Sequence, residues 1–117
     1  MAPFVEIATA STAFRVDKTA EPATYRASGE LDLFGGTVLS SAVEPAVANG
    51  AGDITLDLTN LIFIDVRGVA CLVAIADSLQ DGRRLVLDGV SGFCERVLDL
   101  LRVRERDNII VLPHKAA

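Results

Sequence analysis

Two aspartates, two cysteines and one histidine carry most of the chemical potential of this sequence. Asp32 and Asp65 each stand where an apolar run gives way to helical spacing. Carboxylates at two such junctions could work as an acidic pair on adjacent loops, or each could close the open amides of a turn or helix start. Cys71 and Cys94 supply thiols, yet with His114 as the single histidine they fall short of a metal ligand set. They read either as two small core residues in a reducing compartment or as a redox pair, which would require their backbones to approach closely. No nucleophile–base–acid set accompanies them. Gly35-Gly36 lacks the Lys and Ser/Thr of a phosphate-binding loop, and the glycine spacing fits no dinucleotide fingerprint. The residues point away from catalysis, and no cofactor or metal is expected.

The elements that position these side chains centre on residues 53–79. Ile54, Leu56 and Leu58 alternate with Thr55, Asp57 and Thr59, the period of a half-buried strand. After a short turn and an apolar touch at Phe63-Ile64, the period changes. Leu72, Ile75, Ala76 and Leu79 recur at helical spacing, with Asp65 placed as the N-cap. Upstream, Ala13–Val16 reads as a strand, Thr19–Thr24 as a turn, and Tyr25 onward as a strand ending near Leu31. Gly29 inside that strand predicts a bulge or a close approach, with the Asp65 loop as the candidate neighbour. Val38, Leu39, Ala42, Val43, Ala46 and Val47 form a helical stripe that Pro45 is expected to stop or kink. Downstream, Asp81-Gly82 ends the central helix and Arg84–Leu87 is a compact strand closed by Asp88-Gly89. Ser91 caps a third helix with Phe93, Val97, Leu98 and Leu101 on one face, and Ile109–Leu112 is a last strand.

Strands alternating with helices predict an α/β fold: a single domain with a mixed sheet of about four to five strands against three or more helices. The early strands should be antiparallel neighbours, the later strand–helix–strand units parallel. Residues 1–12 read as an N-terminal extension or extra strand, 13–112 as the domain and 113–117 as a tail. Half of the 117 residues are hydrophobic, which suits a globular chain. No apolar run reaches the roughly 20 residues of a membrane span, and no basic region followed by an apolar segment opens the chain, so a cytoplasmic location is expected. A net charge of −5 argues against nucleic acid and suits a basic protein partner. Val66 and Val69, beside Asp32, Leu33 and Phe34, offer an apolar tip for protein docking if Val66 points outward.

Gly29-Glu30-Leu31-Asp32 at a strand end, then Thr55-Leu56-Asp57-Leu58 through Phe63-Ile64-Asp65, two residues and Gly68, resemble the STAS domain, the family of bacterial anti-sigma factor antagonists. Phe93–Arg102, following a strand and Ser91, also resembles that pattern, so the likeness spans about residues 13–112. The resemblance implies a STAS-like fold and a non-catalytic module that binds an anti-sigma factor, a serine kinase of the GHKL type, and so frees a sigma factor. In antagonist members the residue after the motif aspartate is a Ser or Thr that the kinase phosphorylates to break the complex. Here that residue is Val66, followed by Arg67, so phosphorylation control at the usual site is absent. The partner surface implied is Asp32, Asp65, Val66, Arg67, Gly68 and Val69. The alternative implied is a structural STAS subunit of a stress-signalling assembly or a lipid-transporter complex.

Overall fold

A computed structural model describes residues 13–114. Along the chain lie β1 (Phe14–Lys18), β2 (Thr24–Leu31), α1 (Leu33–Asn49), β3 (Ile54–Asp57), β4 (Leu61–Ile64), α2 (Val66–Ser78), β5 (Leu85–Val90) and α3 (Gly92–Leu100). A 3-10 turn (Val103–Glu105) and β6 (Ile109–Pro113) follow. The described residues thus form a mixed α/β domain with a six-stranded sheet and three helices. Residues 1–12, expected as an N-terminal extension or extra strand, lie outside the described residues.

The short turn after Lys18 can only reverse the chain, so β1 pairs antiparallel with β2, Phe14 opposite Gly29 and Lys18 opposite Tyr25. Each later pairing is parallel, in the order β1-β2-β3-β5-β6, and the helices serve as the crossovers that parallel strands require. The sixth strand is the apolar touch at Phe63-Ile64, which forms β4. β3 lies beside the first half of β2, and β4 beside its second half, with Leu31 opposite Ile64. The step between them is hydrogen-bonded: the Thr59 amide donates to Asp57 Oδ1 at 3.0 Å, and the Leu61 amide to the Leu58 carbonyl at 3.0 Å. β2 accommodates the step with a register shift between Gly29 and Glu30. Gly29 adopts φ +93°, a conformation open to glycine, and the backbone crowding it is that of Ala13 rather than the Asp65 loop expected from sequence.

The core is the predicted one in the centre. Ile54, Leu56 and Leu58 are buried, as are Leu72, Ile75 and Ala76 of α2, Leu39 and Val43 of α1, and Leu85 and Leu87 of β5. Four local expectations give way. α1 does not stop at Glu44 but runs through Pro45 to Asn49. Pro45 and Ser41, whose carbonyl loses its helical donor, both lie on the exposed face, where water can replace the missing bond. β5 continues past Asp88-Gly89 to Val90, because Gly89 at φ +80° lets the strand bulge against β6. On α3, Cys94 and Leu98 face inward while Phe93 and Leu101 do not. Finally, Pro113 closes β6 and the His114 amide donates to the Val90 carbonyl at 2.8 Å, so the sheet claims the start of the expected tail.

Candidate functional site

Leu31 and Ile64 end adjacent parallel strands, and the next residue of each strand is an aspartate. Both aspartates turn extended chain into helix in the same way. Asp32 Oδ1 accepts the amide of Gly35 at 2.9 Å, and Asp65 Oδ1 accepts the amide of Gly68 at 2.9 Å. Each carboxylate therefore satisfies one of the four otherwise unpaired amides at a helix start. The capping reading of the two aspartates accounts for both carboxylates without an acid–base role.

The side chains that follow the caps are presented outward. Val66, the first residue of α2, is 66% exposed; its counterpart Leu33 on α1 is 58% exposed, and Phe34 beside it 54%. Arg67 is also exposed. Gly68 and Val69 turn inward instead. Val69 is 5% exposed and belongs to the core. A Cβ at Gly68 would collide with the Leu31 carbonyl oxygen and come within 2.9 Å of Ile64 Cγ1, so only glycine lets α2 start this close to β2. Of the six residues expected to meet a partner, Val66 and Arg67 form surface, Asp32 and Asp65 shape it, and Gly68 and Val69 support it from beneath.

The apolar tip is broader than sequence reasoning indicated. β2 and β4 are parallel neighbours with Leu31 opposite Ile64, so the starts of α1 and α2, with exposed Leu33, Phe34 and Val66, follow from the same end of the sheet. Ile62 and Phe63 of β4 and Phe93 of α3 are further exposed large apolar side chains. Phe63 and Phe93 stack with ring centroids 5.7 Å apart, tying the start of α3 to β4. Pairs of this kind add about 0.5–1.5 kcal/mol beyond the area they bury. The spacing from sequence puts Phe93 on one helical face with Val97, Leu98 and Leu101, and the structure separates it from Leu98. The competing stripe, Cys94 and Leu98, takes the inner face instead. The sequence signal that marks the tip is the repeated Asp-x-x-Gly, at Asp32–Gly35 and Asp65–Gly68, each enclosing an apolar residue directly after the aspartate.

From the tip an open groove of about 600 Å³ runs between α1 and α2, with Leu33 and Arg67 near its mouth and Cys71 on its floor. The Cys71 thiol donates to the Gly36 carbonyl at 3.3 Å and lies 3.3 Å from Ser40 Oγ. Burial pushes its pKa up, against a smaller opposite pull from Ser40. Cys94 is buried under α3, with its thiol 3.7 Å from the Leu61 carbonyl, and burial raises its pKa too. Both cysteines are free and pack against different partners. A more polar cleft of about 420 Å³ lies at the opposite end of the two helices. There the Arg83 guanidinium donates to the carbonyls of Ala46, Val47 and Gly52, closing the end of α1. Among the described residues no three His, Cys, Asp or Glu side chains gather as a metal site, and no helix is long and apolar enough to cross a membrane.

Comparison with known proteins follows the same outline. The family model described as "Mlab, STAS domain" matches residues 14–112. No curated protein matches the chain. Among solved structures, an anti-sigma factor antagonist from Mycobacterium paratuberculosis superposes with a TM-score of 0.71 at 17% identity, over 83% of this chain and 85% of that one. The anti-sigma factor antagonist SpoIIAA in its unphosphorylated form gives 0.61 at 18% identity, over 90% of each chain. At these identities the likeness is one of fold.

Proposed function

Because the chain belongs to the STAS domain family, we propose that it is a non-catalytic protein-binding module of the antagonist kind. Its partner is an anti-sigma factor of the GHKL serine-kinase type, and binding frees a sigma factor in the cytoplasm. The observation that carries this reading is Val66, an exposed valine at the head of a capped helix, with exposed Leu33 and Phe34 at the start of the helix that follows the neighbouring strand. Apolar surface of this kind, rimmed by the charges of Glu30 and Arg67, is what a protein interface buries at its centre. The antagonist folds to which this chain is similar support the same reading.

Val66 has no oxygen to phosphorylate, so the complex forms without control at that position. In antagonists that carry a hydroxyl there, phosphorylation would place nearly two negative charges against the partner. The test is titration calorimetry of the purified protein with an anti-sigma kinase, with and without ATP. Binding that ATP leaves unchanged and that Val66→Asp weakens by about 100-fold, the scale of losing a central contact, is the expected result. Absence of binding to any such kinase would remove the antagonist reading.

A second reading has one observation in its favour. The matching family model carries the description Mlab, and a missing phosphoacceptor suits a permanent subunit as well as an unregulated antagonist. In that reading the same tip docks on a stress-signalling or lipid-transporter assembly. Co-purification of the tagged chain with large-complex subunits, lost in Val66→Asp, would favour it.

A further inference from the structure

Two edge strands bound the sheet, β1 and β6, and they are finished differently. On β6 the Arg104 guanidinium donates to the Val111 carbonyl at 3.3 Å, and Pro113 ends the strand with no amide to give. Both features discourage a further strand. β1 has no proline and keeps unbroken register with β2 from Phe14 to Lys18, so no bulge bends it away. Among the described residues no strand lies on its other side. Gly29, opposite Phe14, gives its amide to the Asn60 carbonyl, away from β1. Facing residues of an antiparallel pair turn their backbone groups either toward each other or both away, in alternation. Phe14, Val16 and Lys18 therefore direct their amides and carbonyls outward, while those of Arg15 and Asp17 meet Ser28 and Arg26. Val16 packs against the core, and the Arg15 and Asp17 side chains stand on the opposite face, 72% and 49% exposed, with Nε and Oδ2 2.9 Å apart. The remaining charge on the strand is turned back on its own chain: Lys18 Nζ donates to the carbonyls of Thr19 and Glu21.

We propose that β1 pairs antiparallel with β1 of a second copy of this chain, about a two-fold axis at Val16, joining two sheets into one. In that register the outward groups of Phe14, Val16 and Lys18 meet those of Lys18, Val16 and Phe14 of the second copy. Arg15 falls opposite Asp17 of the second copy, and Asp17 opposite its Arg15, so the four side chains close a square of alternating charge. Opposite charges facing across strands stabilise a pair and like charges destabilise it. The neighbouring registers that keep the outward groups bonded set Arg15 opposite Arg15, or Asp17 opposite Asp17. Charge thus selects one pairing, and the contact is the self-complementary kind that closes a symmetric dimer. Because the axis reverses β2, the Val66 tips of the two copies point to opposite ends and neither is covered. The inference is independent of what the tip binds.

The experiment is sedimentation velocity of the full chain from micromolar to millimolar concentration, with Arg15→Asp and Asp17→Arg as separate variants. Wild type should pass from monomer to dimer as concentration rises. Each variant should self-associate about tenfold more weakly, because two facing pairs turn from attraction to repulsion. Mixed in equal amounts, the two variants should associate again, since each offers the sign that the other lacks. Both substitutions fall on exposed side chains, so the thermal midpoints of the variants should match that of wild type. A wild type that stays monomeric throughout would overturn the proposal; that is the result if residues 1–12 of the same chain fill the edge. So would folded variants that dimerise as well as wild type, or a mixture that fails to associate. A dimer that Val66→Asp dissolves would place the contact at the tip and overturn it too.

Discussion

Asp32 and Asp65 make the same hydrogen bond on neighbouring strands: each Oδ1 accepts, at 2.9 Å, the amide three residues further on. Two helices consequently start side by side at one sheet end, and the residues between aspartate and glycine are the ones left facing out. The surface is defined by how its helices begin rather than by any reactive group. That relationship leads to the first prediction. Asp32→Ala and Asp65→Ala should each lower stability by about 1 kcal/mol, whereas the Asn variants, which keep the capping oxygen, should stay close to wild type. Urea unfolding of the four variants checks this, and an Asn variant as unstable as its Ala counterpart would count against the capping role.

Gly68 separates support from surface. Gly68→Ala places a methyl against the Leu31 carbonyl and Ile64, where backbone has to move. Overpacking of that kind costs about 1–3 kcal/mol. The thermal midpoint should fall, and any loss of binding should track the fraction unfolded. A variant of wild-type stability would show that α2 can shift along β2 freely.

Val66 should behave in the opposite way. It is exposed and heads a helix, so Val66→Asp should change stability by no more than about 0.5 kcal/mol, the range for surface substitutions, because a negative charge suits a helix N-terminus. Binding should nevertheless weaken by about 100-fold. Val66→Ser should keep binding and become a phosphoacceptor for a kinase that recognises the tip, detectable by mass spectrometry as the gain of one phosphate. A bound kinase that transfers nothing to the serine variant would argue that Arg67 blocks the transfer geometry.

Asp57 links the β3–β4 step to pH. Burial works to raise its pKa, but hydrogen bonds from Thr59 and the Arg26 guanidinium outweigh burial and hold it below the ordinary 3.8. A carboxylate whose folded pKa is depressed stabilises the fold fully above its unfolded value, and the contribution disappears as pH falls through the folded value. Wild type should therefore lose stability below about pH 4 more steeply than Asp57→Asn. Parallel stability-versus-pH curves for the two proteins would remove Asp57 from that slope.

Local periodicity and local chemistry were legible in the order of residues alone. Period-two alternation around Leu56 and helical spacing around Leu72 define the central strand and helix, and an aspartate ahead of an apolar helix defines its cap. The order of those elements, with the motif spacing from Gly29 to Gly68, was enough to indicate the STAS fold. Tertiary structure decided whatever depends on which neighbours compete for a face. Phe93 stands outside because Cys94 and Leu98 fill the inner side of α3, and its partner there is Phe63 of β4, thirty residues away in the chain. Pro45 is tolerated because the carbonyl it deprives faces water, and Gly68 is required because β2 passes directly beneath it. Val66 and Leu33 share one end of the sheet because parallel pairing of β2 and β4 sets their helix starts side by side: the repeated Asp-x-x-Gly marks each start, and long-range register brings the two together.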